Sequence, residues 1–169
     1  RRVLEIGCGT GLLLSRIAPV CERYVATDFS ETALTHVRER ILSGRDWKGV
    51  ELLQRTAEEF EGIPAGEFDL VILNSVVQYF PGVDYLVRVL KGAVRATKPG
   101  GCLFVGDVRN LKLLEAFHAS VQSYQAPVSL PVPELSRRVH DHMLREEELV
   151  LDPSFFSALR SQVPEISEV

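Results

Sequence analysis

The segment VLEIGCGTGLLL, residues 3–14, constrains the fold of this chain more than any other part of its sequence. An apolar stretch typical of a fully buried strand runs directly into Gly7, Gly9 and Gly11. A leucine-rich stretch with helical character begins immediately after the third glycine. Because glycines allow a tight turn and the close approach of a ligand, the segment predicts a strand, a ligand-binding bend and a helix in direct succession.

The glycine spacing separates two classes of cofactor site. A dinucleotide fingerprint requires GxGxxG, whereas position 12 is Leu and the third glycine is Gly11. Glu5 precedes the first glycine by two residues, and its carboxylate suits a cationic ligand better than the pyrophosphate bound at a dinucleotide site. The pattern therefore disfavours an NAD-dependent oxidoreductase.

The rest of the chain alternates between strand and helix patterns. Strands are predicted at 23–28, 50–55, 68–74 and 102–108, and helices at 31–42 and 83–97, with further helices at 111–124, about 134–147 and after Pro153. This alternation predicts an α/β, doubly wound, Rossmann-like fold, a mostly parallel sheet with helices on both faces. Such sheets bind ligands at the carboxyl ends of their strands, so the residues that follow each strand are the functional candidates.

Composition narrows the partners and the location. The net charge of -4 offers no global basic surface for nucleic acid, although it leaves a local basic patch open, and no apolar run reaches the length of a membrane span. Three scattered cysteines indicate a reducing compartment, so we expect a cytoplasmic protein. No metal is expected, because His140, Asp141 and His142 are neighbours on a predicted helix and face different directions.

Several strings carry a resemblance to known proteins. VLEIGCGTG is similar to the first motif of class I S-adenosylmethionine (SAM)-dependent methyltransferases. LNSVVQYFP (73–81), GDVRN (106–110), LLEAFHASVQSYQA (113–126) and EEELVLDPSFFSAL (146–159) resemble the N-methyltransferase domains embedded in nonribosomal peptide synthetases. Together these strings are spread along nearly the whole chain, from residue 3 to residue 159.

The resemblance implies SAM as the cofactor, S-adenosyl-L-homocysteine as its product, and a set of binding residues. The glycine loop, residues 7–11, would wrap the methionine part of SAM, with Glu5 near its amino group or an ordered water. Asp28 would take both ribose hydroxyls, Phe29 would lie against the adenine, and Glu58 would accept the adenine amine. The implied cofactor-binding residues are Glu5, Gly7, Cys8, Gly9, Thr10, Gly11, Asp28, Phe29, Ala57, Glu58, Asn74, Ser75 and Val76.

The same resemblance implies N-methylation of an aminoacyl thioester on a carrier protein, with that loaded carrier and neighbouring synthetase domains as partners. Tyr79, Asp107 and Arg109 lie at or just beyond the ends of the fourth and fifth strands. They are the candidate catalytic residues that orient the acceptor or take its proton, and His118 is a more distant candidate base. Residues 1–109 would form the SAM-binding core, and residues 110–169 a helical substrate-side segment of the same domain.

Other interpretations stay open at this point. The chain starts at its first strand and stops at Val169 without the further strands of such domains, so we expect a fold truncated at both ends. Residues 107–145 do not define an acceptor pocket, which leaves a carbon or oxygen methyltransferase of a polyketide-like or free small molecule as an alternative. A catalytically silent structural domain is the third interpretation.

Overall fold

The computed structural model describes residues 1–44 and 47–169 and divides them into two compact units, Arg1–Asp107 and Val108–Val169. The division expected from the sequence, 1–109 and 110–169, lies two residues further along the chain. The assignment of cofactor binding to the first part and of the acceptor to the second stays a prediction.

A five-stranded parallel sheet forms the centre of the first unit. The strands are β1 Arg2–Ile6, β2 Arg23–Asp28, β3 Val50–Gln54, β4 Phe68–Asn74 and β5 Thr97–Gly106. Their order is β3-β2-β1-β4-β5, and every neighbouring pair is parallel. The predicted doubly wound fold is therefore confirmed. The strand order reverses between β1 and β4, which is where such folds bind their ligands.

The helices of the first unit follow the predicted order. They are α1 Leu14–Ile17, α2 Glu31–His36, which continues as a wider π-helix over Val37–Leu42, and α3 Val83–Ala96. Ser30 caps α2 as its pattern predicts, because its hydroxyl accepts the Ala33 amide at 3.2 Å. β5 begins at Thr97, five residues before its predicted start, since Thr97 already pairs with Phe68 and the next paired residue is Cys102.

Both faces of this sheet are covered. On one face a buried cluster includes Val3 and Tyr24 from the strands, Leu14 from α1 and Leu34 from α2. On the opposite face α3 packs against β4 and β5 with an apolar stripe. The buried residues of that stripe are Leu86, Val89, Leu90, Ala93 and Ala96. Burial of these side chains holds the carboxyl ends of the strands in fixed register.

The second unit is mainly helical. It contains β6 Arg109–Asn110, α4 Leu114–Gln125, α5 Val132–Leu144, β7 Val150–Leu151 and α6 Ser154–Gln162, with β6 parallel to β7. The helix expected at about 134–147 is present as α5, which begins two residues earlier and ends three residues earlier. Pro131 and Pro133 allow the helix to begin at Val132, because proline is tolerated in a first turn, and the backbone leaves the helix after Leu144.

No helix within residues 1–44 or 47–169 is both long enough and apolar enough to cross a membrane.

Candidate cofactor and active site

The glycine loop, residues 7–11, leaves the carboxyl end of β1 in a conformation that glycine favours. Gly7, Gly9 and Gly11 have φ angles of 77°, 50° and 79°. A Cβ on Gly7 would lie 2.5 Å from Cγ2 of Val76, whereas a Cβ on Gly9 would meet nothing within 4 Å. The loop is therefore tight against the segment after β4 at Gly7 and open at Gly9.

Asp28 joins this loop to the carboxyl end of β2. Its Oδ2 accepts the Gly9 amide at 2.8 Å and its Oδ1 accepts the Ser30 amide at 2.9 Å, and the residue is 7% exposed. A carboxylate has about four acceptor positions, so two amides leave capacity for two vicinal hydroxyl groups. The side-chain cap of α2 is Ser30 and not Asp28.

Glu5 is a buried carboxylate beside the glycine loop. It is 3% exposed, and the hydroxyl of Tyr24 donates a hydrogen bond to its Oε2 at 2.7 Å. Burial raises the pKa of Glu5 from 4.5 to about 7, the Tyr24 hydrogen bond lowers this pKa, and the charge of Asp28 raises it. Glu5 therefore changes its charge in the neutral pH range, where a cationic ligand would favour the ionised form.

The remaining residues of the first unit that were assigned to the cofactor differ in their exposure. Phe29, beside Asp28, is 75% exposed and presents a free aromatic surface. Cys8 is buried and Thr10 is exposed. After β3, Ala57 is half-buried and the Glu58 carboxylate forms an ion pair with Arg88 at 2.9 Å. This ion pair already occupies one carboxylate oxygen of Glu58. The contact of Glu58 with adenine stays a prediction.

A hydrogen-bonded chain of side chains connects the carboxyl ends of β4 and β5. Asn74 Nδ2 donates to Ser75 Oγ at 3.0 Å, and that hydroxyl donates to Asp107 Oδ2 at 2.9 Å. We call these three residues the β4–β5 bridge. Ser75 and Asp107 have φ angles of 57° and 58°, a region that costs energy for residues other than glycine and is concentrated at functional sites.

Gly106 makes the β4–β5 bridge sterically feasible. A Cβ at this position would lie 2.3 Å from Asn74 Oδ1 and 2.6 Å from the Phe104 ring. The Gly106 carbonyl also accepts the Ser75 amide at 3.2 Å. Gly106 was not among the site residues predicted from sequence, although its place directly before Asp107, near the end of a predicted strand, was a usable signal.

The candidate catalytic residues fall in different environments. Asp107 is exposed at the end of the β4–β5 bridge, and Tyr79 is 73% exposed in the turn after β4. In the second unit the Arg109 guanidinium forms an ion pair with Glu148 and lies 4.3 Å from the centre of the Phe117 ring. Two contacts of Arg109 within its own unit therefore position it, and its part in catalysis stays a prediction.

His118 also has a partner within the second unit. Its Nε2 lies 3.1 Å from Oε2 of Glu146, and the residue is 8% exposed. The Glu148 amide donates to the same carboxylate at 3.0 Å. Although burial opposes the shift, these hydrogen bonds together lower the pKa of Glu146, which favours the carboxylate form beside the imidazole.

Tyr24 is a second site residue that the sequence did not reveal. In a parallel pair, side chains two residues apart share a face, and Val3 pairs with Tyr24 while Glu5 pairs with Ala26. The predicted strand over 23–28 already placed Tyr24 and Asp28 on one face. The sequence did not give the register between β1 and β2, which brings this face of β2 beside Glu5.

As for metals, residues 1–44 and 47–169 contain no group of three or more His, Cys, Asp or Glu side chains arranged to hold an ion.

The chain is similar in sequence to one protein family and to parts of much longer proteins. The profile of the methyltransferase domain family matches residues 4–103. Chondramide synthase cmdD of Chondromyces crocatus is 53% identical over 99% of this chain. The beauvericin nonribosomal cyclodepsipeptide synthetase of Beauveria bassiana is 37% identical over 97% of it. The chain spans only 4% and 5% of the lengths of these two relatives.

Solved structures share the fold of the chain. A methyltransferase structure from Bacillus halodurans superimposes with a TM-score of 0.66, at 20% identity, over 95% of this chain and 61% of that one. The N-methyltransferase NodS of Bradyrhizobium japonicum, crystallised with S-adenosyl-L-homocysteine, has a TM-score of 0.59 at 24% identity, over 66% of this chain and 54% of that one. At these identities the likeness concerns the fold alone.

Proposed function

The chain belongs to the family of SAM-dependent methyltransferase domains, and we propose that it methylates the amino group of an aminoacyl thioester carried by a carrier protein during nonribosomal peptide synthesis. One observation carries the proposal: the glycine loop and Asp28 form a single hydrogen-bonded cradle beside the buried carboxylate of Glu5. The relatives named above support the setting, because one of them is a nonribosomal cyclodepsipeptide synthetase and both match nearly the whole of this chain.

The residues of the cradle fit SAM. The open backbone at Gly9 leaves room for the methionine part, and the buried Glu5 carboxylate suits its ammonium group. Asp28 keeps acceptor capacity for the ribose hydroxyls, and the exposed ring of Phe29 can stack on the adenine. Asn74, Ser75 and Val76 would line the sulfonium end, since Val76 lies against Gly7. When bound, SAM supplies an activated methyl group.

The protein's own contribution is to hold the acceptor and to manage its proton. Orientation of an acceptor atom in line with the methyl group lowers a barrier by up to about 7–11 kcal/mol. Asp107 suits an amine acceptor, because its carboxylate can accept an N–H hydrogen bond and take the proton that leaves the nitrogen. Ser75 fixes one oxygen of that carboxylate at 2.9 Å, which directs the other oxygen. Tyr79, in the same unit as Asp107, would orient the acceptor.

The second unit has a groove of its own that is suited to part of an acceptor. A groove of about 280 Å³ lies between α4 and α5. It combines apolar side chains with ionisable ones, a lining suited to an amino-acid side chain or a pantetheine-like arm. The lining residues are Glu115, Ala119, Leu135, Ser136, Val139, His140 and Met143.

The decisive experiment is mass spectrometry of an aminoacyl-loaded carrier incubated with SAM and the full-length protein that contains this chain. We expect the gain of one methyl group, located on nitrogen by fragmentation. Methylation on carbon or oxygen would refute the proposed acceptor, and the absence of both methylation and SAM binding would favour a structural domain.

Asp107→Asn tests the proposed proton acceptor in the same assay. A general base contributes roughly 100-fold or more to the rate, so we expect a rate loss of about that size with unchanged SAM affinity. Asp84→Asn, which removes an exposed carboxylate at the start of α3, is the matched control and should keep the full rate. Equal rates for the two variants would remove Asp107 from the mechanism.

A further inference from the structure

Packing does not explain the buried hydroxyl of Tyr24. Tyr24 is 0% exposed in the cluster beneath α1 and α2, where a phenylalanine ring would fill nearly the same volume. Its hydroxyl instead lies 2.7 Å from Glu5 Oε2, in a hydrogen bond between two buried side chains. A buried tyrosine hydroxyl needs a partner, and the partner here is a carboxylate of the cofactor cradle.

The other groups around Glu5 do not favour its charged form. Asp28, which lies on the same face of β2 as Tyr24, carries a like charge that raises the pKa of Glu5. Cys8, in the glycine loop, stays neutral, because burial and the nearby carboxylates raise the pKa of its thiol to about 12. On the β4 side, Glu5 is paired with the apolar Ile72. Tyr24 opposes these effects, because its hydroxyl donates a hydrogen bond to the carboxylate at 2.7 Å and lowers the pKa of Glu5.

We propose that Tyr24 is a positioning residue of the cofactor site, whose phenol orients the Glu5 carboxylate and favours its ionised form, so that cofactor binding is linked to release of a proton from Glu5. The inference rests on the proposed function, because it assumes that Glu5 receives the ammonium group of SAM. In the linked step the O–H bond of the protonated carboxyl breaks, its electron pair stays on the carboxylate, and the proton passes to solvent.

The direction of the pH effect follows from this linkage. Below pH 7 most Glu5 side chains are protonated, since burial raises the pKa of Glu5 to about 7, and each must lose its proton before it can pair with an ammonium group. Cofactor affinity should therefore rise as the pH rises through 7 and should level off above about pH 8.

Calorimetric titration of the full-length protein with S-adenosyl-L-homocysteine tests the proposal without any catalytic turnover. Titrations at several pH values from 6 to 9, each in two buffers of different ionisation enthalpy, report both affinity and released protons. The wild type should release a fraction of a proton from Glu5 near pH 7 and none from Glu5 at pH 9, where the remaining proton exchange is that of the ligand's own amino group. This measurement on the wild type does not depend on the folding of a variant.

Tyr24→Phe separates positioning from packing. Loss of the hydroxyl raises the pKa of Glu5, and a rise of one unit weakens binding about five-fold at pH 7 and almost not at all at pH 9. Tyr124→Phe, at a tyrosine that is 93% exposed on α4, should bind like the wild type at every pH. Glu5→Gln should bind weakly with no pH dependence.

The possible results distinguish a failure of this inference from a failure of the proposed function. Equal weakening of Tyr24→Phe at pH 7 and pH 9 would show a packing role only and would overturn the inference. Binding by the wild type without any proton release would overturn it as well, while the proposed function would stand. A wild-type protein that binds no S-adenosyl-L-homocysteine at any pH would contradict the proposed function itself.

Discussion

At the scale of single residues, Gly7 marks the closest approach between the glycine loop and the segment after β4. Its φ angle is 77°, and an added Cβ would lie 2.5 Å from Val76 Cγ2. We expect Gly7→Ala to weaken S-adenosyl-L-homocysteine binding at least about ten-fold and to reduce the free energy of unfolding by about 2–4 kcal/mol, because backbone strain and a steric clash act together. Calorimetry and urea unfolding measure the two effects.

Gly62→Ala is the matched control for this prediction. Gly62 has a φ angle of 74°, but a Cβ added there would meet nothing within 4 Å, so only the backbone strain of about 1–2 kcal/mol applies. Its cofactor affinity should equal that of the wild type. If Gly62→Ala and Gly7→Ala lost the same stability and Gly7→Ala kept its affinity, the close contact with Val76 would have no role in the site.

At the scale of elements, α3 is packed closely against the loop that precedes β4. Phe60 is 8% exposed, and a Cβ on Gly92 of α3 would lie 2.3 Å from Cε2 of its ring. Alanine in place of a helix-interior glycine usually stabilises by about 1 kcal/mol, whereas overpacking of this kind costs about 1–3 kcal/mol. We therefore expect Gly92→Ala to lower the free energy of unfolding in a urea titration.

The same Gly92→Ala substitution in a protein that already carries Phe60→Leu tests whether the Phe60 ring causes the loss of stability. With the smaller side chain the Gly92→Ala substitution should become neutral or stabilising, because the helix preference for alanine is then no longer opposed by the ring. An equal loss of stability in both backgrounds would place the cost of Gly92→Ala elsewhere on α3.

At the scale of the whole molecule, the burial of Glu5 makes global stability depend on pH. The pKa of Glu5 is raised to about 7 in the folded protein, so the folded state binds its proton more tightly than the unfolded state does. Stability should therefore fall as the pH rises from about 4.5 to about 7, by on the order of 3 kcal/mol at most. We expect Glu5→Gln to raise the Tm of the ligand-free protein at pH 8 and to reduce the further rise that SAM produces.

Glu61→Gln provides the comparison, because Glu61 is exposed in the loop before β4. It should change neither the ligand-free Tm nor the stabilisation by SAM, which grows with ligand concentration above the Kd. A Tm for Glu5→Gln below that of the wild type at pH 8, without ligand, would contradict the expected cost of the buried charge.

Local sequence determined the elements and the core of the cofactor loop. The strands at 23–28 and 68–74 were predicted with their observed bounds, and the bend at Gly7 to Gly11 follows from glycine alone. These features depend on residues close together in the chain, whose side-chain periodicity and backbone freedom are visible in the sequence. The proline-led start of α5 escaped prediction, since prolines are compatible both with an extended connector and with a first helical turn.

Only the tertiary structure decided which distant residues meet. The link of Tyr24 to Glu5 depends on the register between β1 and β2, and the link of Ser75 to Asp107 depends on β4 lying beside β5. Nothing in either segment encodes its neighbour, because strand order and register are set by burial of the whole sheet between its helices. The sequence therefore located the candidate side chains. Packing of the sheet decided which of them form a hydrogen bond with each other and which influence each other's charge.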